Sequence, residues 1–381
     1  MNENDFWRKY RKLFLSYHLN QVNEWESVDE LREIITKINE RQLIRHEVKF
    51  GAITNNDDIF VIQVHNRSDY LKILIDSLGD VRGIEKALLI FSHDLFEPKI
   101  NEIIRNITFC KVMQIFFPFS KQLYPDSFPG DECIVEQGNT TRSVNCTESQ
   151  YTNSAVKIRD AKYQQIKHHW FWKLNYVFEG LRVTRNFTGY LTFLEDDYFL
   201  LADSIYVLKA LKSNCGNCDM LSLGKRLRNF STIYTSILLS TVPDDVSTIS
   251  INRHFFLKFK NYSKQFCAYN DYNHDWSMKY IFLNRMNSIP VSLTAQASRV
   301  YHIGDCGFHY QEEDCFESFR SVQEIVNTCG SFFFPESFSV TRCEDCEINF
   351  GGPYGGWNDA RDHSLCLSFT NYGSHNFTLP A

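Results

Sequence analysis

Three short apolar runs, each separated from the next by a helix-spaced stretch, constrain the fold of this chain more than any other feature. Asp58–His65 reads DIFVIQVH, Ala87–Phe91 reads ALLIF and Lys111–Phe117 reads KVMQIFF. Such runs suit strands buried on both faces. Between them, Asp69–Leu78 and Glu97–Asn106 carry helical spacing. The β-α-β-α-β order predicts an α/β fold with a parallel sheet and right-handed crossovers. A loop over 118–157 follows, then an aromatic-rich helix over about Arg159–Val183. Next come a strand at Tyr190–Leu194, a helix at Asp203–Lys212 and a strand at Met220–Leu223. Past residue 230 the pattern weakens, with helices expected near Asn252–Lys260 and His274–Leu283. Residues 331–381 are rich in Gly, Cys and Phe and read as irregular structure held by disulfides. Trp25–Leu43 has helical spacing and many charges, as a solvated helix or tether would. The expected organisation is a stem at 1–57, an α/β part at 58–230 and a less regular part at 231–381.

The 381 residues are 43% apolar, enough for one large or two closely joined domains. A net charge of −6 gives no basic field for nucleic acid. Lysines and arginines form no run that would seek an anionic membrane surface. The 12 cysteines include close pairs such as Cys215 with Cys218 and Cys343 with Cys346. Such pairs mean zinc or redox chemistry in a reducing compartment and disulfides in an oxidising one. Asn-x-Ser/Thr sequons at Asn66, Asn106, Asn139, Asn145, Asn186, Asn229, Asn261 and Asn376 favour a secretory lumen. The first residues, MNENDFWRKYRKLFLSYHLN, hold neither an apolar run of about 18 residues nor a signal-peptide core. A secretory reading therefore expects an anchor outside this sequence.

Glu195-Asp196-Asp197 closes the Tyr190–Leu194 strand. Ligands of open α/β sheets bind beyond such strand ends, and adjacent carboxylates can bridge Mg²⁺ or Mn²⁺ to a diphosphate. The competing reading, a helix N-terminal cap, is the commoner use of such a triplet. His65-Asn66-Arg67 ends the first strand and Asp94 follows the second, so they can converge on Asp197. The adjacent histidines of Lys167-His168-His169 point about 100° apart on a helix and cannot share one ion. Asp275, beside Trp276, is a candidate general base if the indole desolvates it and raises its pKa. His302 is a lone histidine, more often structural, although imidazole suits Mn²⁺. Gly-x-Ser-x-Gly, P-loop, His-Glu-x-x-His and Gly-x-Gly-x-x-Gly motifs are absent from the sequence.

The stretches QVHNRSDYL, LLIFSHD, IFFPFSKQLYPDSFPG, AKYQQIKHHWFWKL, FLEDDYFL, CDMLSLG, DYNHDWSMKY, HIGDCG and RDHSLC occur in that order between about Ile59 and Cys366. Together they closely resemble the N-acetylglucosaminyltransferase II family. The resemblance implies a GT-A fold, Mn²⁺, a UDP-GlcNAc donor, an N-glycan acceptor and inverting transfer to a mannose 2-hydroxyl. It also implies a type II membrane protein of the Golgi lumen. Position by position, it makes Asp197 and His302 metal ligands and Asp275 the base. Gln63, Val64, His65, Asn66, Arg67, Asp94, Gln165, Ile166, Lys167, His168 and His169 become nucleotide-sugar contacts. A family arginine falls on Arg226 or Arg228, with Arg228 preferred. The implied disulfides are Cys133–Cys146, Cys215–Cys218, Cys267–Cys366 and Cys306–Cys315. One further family disulfide has no counterpart, because Tyr262 and Arg285 occupy its positions. Cys343 could pair with Cys346, and Cys110 reads as a buried thiol. The family triplet usually reads Glu-Glu-Asp, so Asp196 is a departure.

Two alternatives remain at this level: another inverting GlcNAc-transferase, such as N-acetylglucosaminyltransferase I, and an inactive glycan-binding homologue. The HNR, KHHW and HIGDCG runs disfavour the first; Asp197, Asp275 and His302 disfavour the second. A glycan on Asn66 would block a donor bound at that loop. Glycopeptide mass spectrometry of active protein should therefore find Asn66 unmodified, and an occupied Asn66 in active protein would contradict the assignment of this loop.

Overall fold

The structure is a computed structural model that describes residues 25, 27–130, 159–224, 230–240, 248–306, 314–343 and 353–371. Strands β1 (Ile59–Val64), β2 (Leu88–His93), β3 (Lys111–Phe116) and β4 (Tyr190–Glu195) run parallel in the order β3-β2-β1-β4. The crossovers are helices α2 (Ser68–Asp80) and α3 (Pro98–Arg105), after an N-terminal α1 (Val28–Arg41). Uniform hydrophobicity of the strands has a direct cause. Ile59 and Val61 pack on one face with Trp170, Phe171 and Leu174 of α4 (Ala161–Asn175). Phe60, Ile62 and Val64 pack on the other face with Leu71, Leu74 and Leu78 of α2. Both faces are buried, so successive side chains all have to be apolar.

β4 is also paired to an antiparallel strand, β8 (Ile249–Asn252). From there the sheet continues through β6 (Met220–Ser222), β9 (Ser292–Ala295), β7 (Ser236–Ser240) and β11 (Ser339–Arg342), making nine strands. Strands from the stretches 58–230 and 231–381 thus share one sheet. β5 (Tyr198–Leu200) and β10 (Val300–His302) form a separate antiparallel pair. The remaining helices are α5 (Ser204–Asn214), α6 (Arg253–Lys260), α7 (Ser263–Ala268), α8 (His274–Asn284), α9 (Glu317–Cys329) and α10 (Ala360–Ser368).

Two expectations change. The N-terminal segment is no solvated tether: Leu31, Ile34 and Ile35 of α1 are buried against Phe96, Phe116 and Leu123. Asn39 exchanges hydrogen bonds of 2.7 and 2.8 Å with the Phe116 backbone, and Arg45 forms a bridge with Val112. This segment covers the open edge of β3, which would otherwise expose unpaired backbone groups. The C-terminal region is more regular than its composition suggests, contributing edge strand β11 and helix α10. α10 is fastened to α7 by the disulfide Cys267–Cys366.

Cys215–Cys218 and Cys306–Cys315 also pair. Cys133, Cys146 and Cys346 lie outside the described residues, and Cys343 is disulfide-bonded. Cys110 is a buried free thiol whose pKa burial pushes up to about 12. The Tyr262 hydroxyl accepts from Asn287 N at 3.2 Å, so a side-chain contact joins the two segments that the missing family disulfide would tie. No helix among the described residues is long and apolar enough to cross a membrane.

Leu31 is fully buried, so Leu31→Ala should destabilise the protein by about 2–5 kcal/mol. Urea unfolding checks this; a change below ~0.5 kcal/mol would mean that α1 does not dock.

Candidate active site

The sheet fixes the site's position. β1 pairs with β2 on one side and β4 on the other, so the strand order reverses at β1, where open α/β sheets form a ligand crevice. Gln63 pairs with Glu195 and Val64 with His93, which sets His65, Asp94 and the acidic triplet on one edge. A cavity of about 1000 Å³ opens there, with α4 and the start of α8 forming further walls.

At one corner, His65 Nδ1 lies 2.7 Å from Asp94 Oδ1, and Gln165 Nε2 donates to Asp94 Oδ2 at 3.0 Å. Gln165 is itself held, accepting from Lys121 N at 2.6 Å. Burial would raise the Asp94 pKa, but His65, His169 and Gln165 pull it to about 2.

The triplet forms the second corner. It caps no helix; β5 follows directly and the next helix, α5, starts at Ser204. The register of β5 on β10 pairs Tyr198 with His302 and brings His302 Nε2 to 3.0 Å from Asp197 Oδ2. A local sequence pattern could not have shown this pairing. Arg67 bridges Asp196 and Asp197, and Asp196 Oδ2 accepts from His65 N at 2.9 Å. Asp197 Oδ1 is buried and without a hydrogen-bond partner among the described residues. Gly304 abuts the Asp197 carboxylate so closely that a Cβ there would collide with it. Burial and Asp197 push the Glu195 pKa up to about 7, while burial would do the same to Asp197 but Arg67 and His302 hold it near 2. Asp197 and His302 are the pair that could hold a divalent cation. Among the described residues, no three His, Cys, Asp or Glu side chains are grouped as a complete metal site. A cation on this pair would take its further ligands from outside the described side chains, as substrate or water oxygens can provide.

Asp275 forms the third corner, on the first turn of α8, whose N-cap Asn273 accepts from Asp275 N at 2.9 Å. His274 Nε2 lies 2.9 Å from Asp275 Oδ1. The expected rise in the Asp275 pKa does not occur. Burial favours a rise, but His274, Lys279 and Lys173 outweigh it and leave the carboxylate below its ordinary value. The neighbours that decide are polar, not the Trp276 indole.

Gln63, Asn66, Arg67 and Ile166 line the cavity with these groups. Val64, Lys167, His168 and His169 are buried behind its wall. His168 pairs with Asp362 at 2.9 Å and His169 with Ser92 Oγ at 2.7 Å, confirming that the adjacent rings face different partners. Arg226 and Arg228 lie outside the described residues. The sequence reading missed Lys121, Lys162, Tyr272 and His274 on the cavity wall. It also missed Lys173, whose ammonium donates to Gln63 Oε1 at 2.8 Å. A lysine within a helix of buried aromatics was the available signal, since such a cation needs a partner.

Residues 32–366 match the family described as N-acetylglucosaminyltransferase II (MGAT2). The chain belongs to the N-acetylglucosaminyltransferase II family. Relatives named alpha-1,6-mannosyl-glycoprotein 2-beta-N-acetylglucosaminyltransferase include those of Rattus norvegicus (36% identical over 353 residues, 89% of this chain and 80% of the relative) and Homo sapiens (35%, 89% and 79%). That of Arabidopsis thaliana is 31% identical over 343 residues, covering 84% and 76%. The chain is thus similar to glycosyltransferases across most of its length. Among solved structures, it is similar to S. aureus TarS 1-349 in complex with UDP-GlcNAc at TM-score 0.30 and 13% identity, covering 71% of this chain and 67% of that one.

Removing Arg67 would leave Asp196 and Asp197 as close like charges at 1–2% side-chain exposure. Arg67→Met should cost roughly 2–4 kcal/mol in a chelating buffer. Excess Mn²⁺ should restore part of that loss. Thermal unfolding with and without metal checks both statements, and an unchanged melting temperature in chelator would refute the pairing.

Proposed function

We propose that this chain transfers GlcNAc from UDP-GlcNAc to the 2-hydroxyl of the α-1,6-arm mannose of N-glycans, with inversion at the anomeric carbon and dependence on Mn²⁺. One observation carries the reading: a single cavity is walled by Asp275, by the Asp197–His302 pair and by the His65–Asp94–Gln165 corner. The names of the relatives supply the acceptor arm and the transferred sugar. A Golgi lumenal location accords with the disulfides and sequons.

A divalent cation suits the Asp197–His302 corner. The unpartnered Asp197 Oδ1, the neighbouring imidazole and the absence of a side chain at Gly304 leave donors and room for it. When bound, Mn²⁺ would supply positive charge against the negative charge that builds on the departing diphosphate. Arg67, which lines the same cavity and pairs with Asp196 and Asp197, would supply a further positive charge beside a bound diphosphate.

Asp275 accepts the proton of the mannose 2-hydroxyl as that oxygen attacks the anomeric carbon. The bond from that carbon to the UDP oxygen breaks, and UDP leaves with the electron pair. A carboxylate below its ordinary pKa is ionised at neutral pH and ready for this step. Asp275→Asn should lower turnover by about 100-fold or more while UDP still binds. Near wild-type turnover would remove Asp275 from the role. Incubation with UDP-GlcNAc, Mn²⁺ and a defined N-glycan should yield a product with GlcNAc β-linked to the 2-position of the α-1,6-arm mannose. Transfer to another arm, or UDP release with no glycan product, would overturn the assignment.

A further inference from the structure

Lys167 is fully buried, yet both hydrogen bonds of its ammonium go to backbone carbonyls: Tyr269 O and Asp271 O, each at 3.0 Å. The Phe266 and Trp357 ring centroids lie 4.8 and 4.5 Å from the same nitrogen. Burying an ammonium is expensive, and carbonyl dipoles and ring faces offset that cost only if they are held in place. The segment it grips joins α7 to α8. Within it, the Asp271 carboxylate accepts from Asn273 N at 2.8 Å and Tyr354 N at 3.1 Å. Asn273 in turn caps α8 through Asp275 N. Each step from Lys167 to Asp275 is therefore a hydrogen bond or a peptide unit.

The same helix serves the opposite wall. Gln165, two residues earlier on α4, holds Asp94. Residues two apart on a helix point about 200° apart, so one helix addresses the Asp94 corner with one face and the Asp275 loop with the other.

We propose that Lys167 is a positioning residue for Asp275, fixing the turn that aims the base, and that it makes no contact with the nucleotide sugar. The inference rests on Asp275 being the base. Its test is Lys167→Met and, separately, Asp271→Asn, each made in the wild-type and the Asp275→Asn backgrounds. Turnover, UDP affinity in Mn²⁺ and melting temperature are measured for all. In the wild-type background, turnover should fall by about 100-fold, as for a reacting group displaced by an ångström, with UDP affinity within about twofold of wild type. In the Asp275→Asn background, the same substitutions should lower the residual turnover by less than about threefold, because the group they aim is already gone. UDP affinity falling in step with turnover would overturn the proposal, as would an undiminished loss in the Asp275→Asn background. If Lys167→Met does not fold, Asp271→Asn decides by the same criteria. Failure of the base reading is seen separately, as full turnover in Asp275→Asn alone.

Discussion

The crowding of negative charge at the C-terminal edge of β1, β2 and β4 is the constraint on which the rest of the site depends. The reversal of strand order places Asp94, Glu195, Asp196 and Asp197 there together, each at least half buried. Carboxylates that close repel strongly in a medium less polar than water. The protein offsets the repulsion with positively charged groups from separate elements: His65 and Arg67 after β1 and His302 from β10. The resulting pKa values diverge, with Asp94 and Asp197 near 2 and Glu195 near 7. An edge of this sign is hostile to a diphosphate by itself. Under the proposed reading, that hostility is what makes a cation on Asp197 and His302 useful.

The second organising element is α4. Its aromatic residues fill the core beneath the sheet, while five of its polar residues reach out to other elements. Gln165 reaches Asp94, Lys167 the turn before α8, His168 Asp362, His169 Ser92 and Lys173 Gln63. A helix so placed cannot shift without moving several walls at once, because close-packed interiors transmit displacement. That explains why a run rich in polar residues is buried: its side chains hold the cavity's parts in register and few of them face the cavity.

The first four strands were legible because each is a run of about six residues buried on both faces, with the crossover helices between them. β6 was also expected, at Met220–Leu223, but β7 to β11 span only three to five residues each and lie beyond what periodicity can separate from loop. The site was legible where its residues sit at strand ends, as His65, Asp94 and Asp197 do. His302 was not, on residues alone, because its place depends on the register of two distant three-residue strands. Asp275 was identified, but its electrostatics were misjudged: the neighbour in sequence was an indole, whereas the neighbours that decide are His274, Lys279 and Lys173.

Asp196, where the triplet departs from the family, belongs to the same charged edge. Its two oxygens are committed, one to the His65 backbone N–H and the other to Arg67. It stands at the start of a tight link, since only Asp196 and Asp197 separate β4 from β5. The middle residue of the triplet therefore braces the loop after β1 through His65 and Arg67. Asp197, by contrast, keeps one oxygen without a hydrogen-bond partner among the described residues, so the candidate metal corner rests on Asp197 and His302 and not on the middle residue.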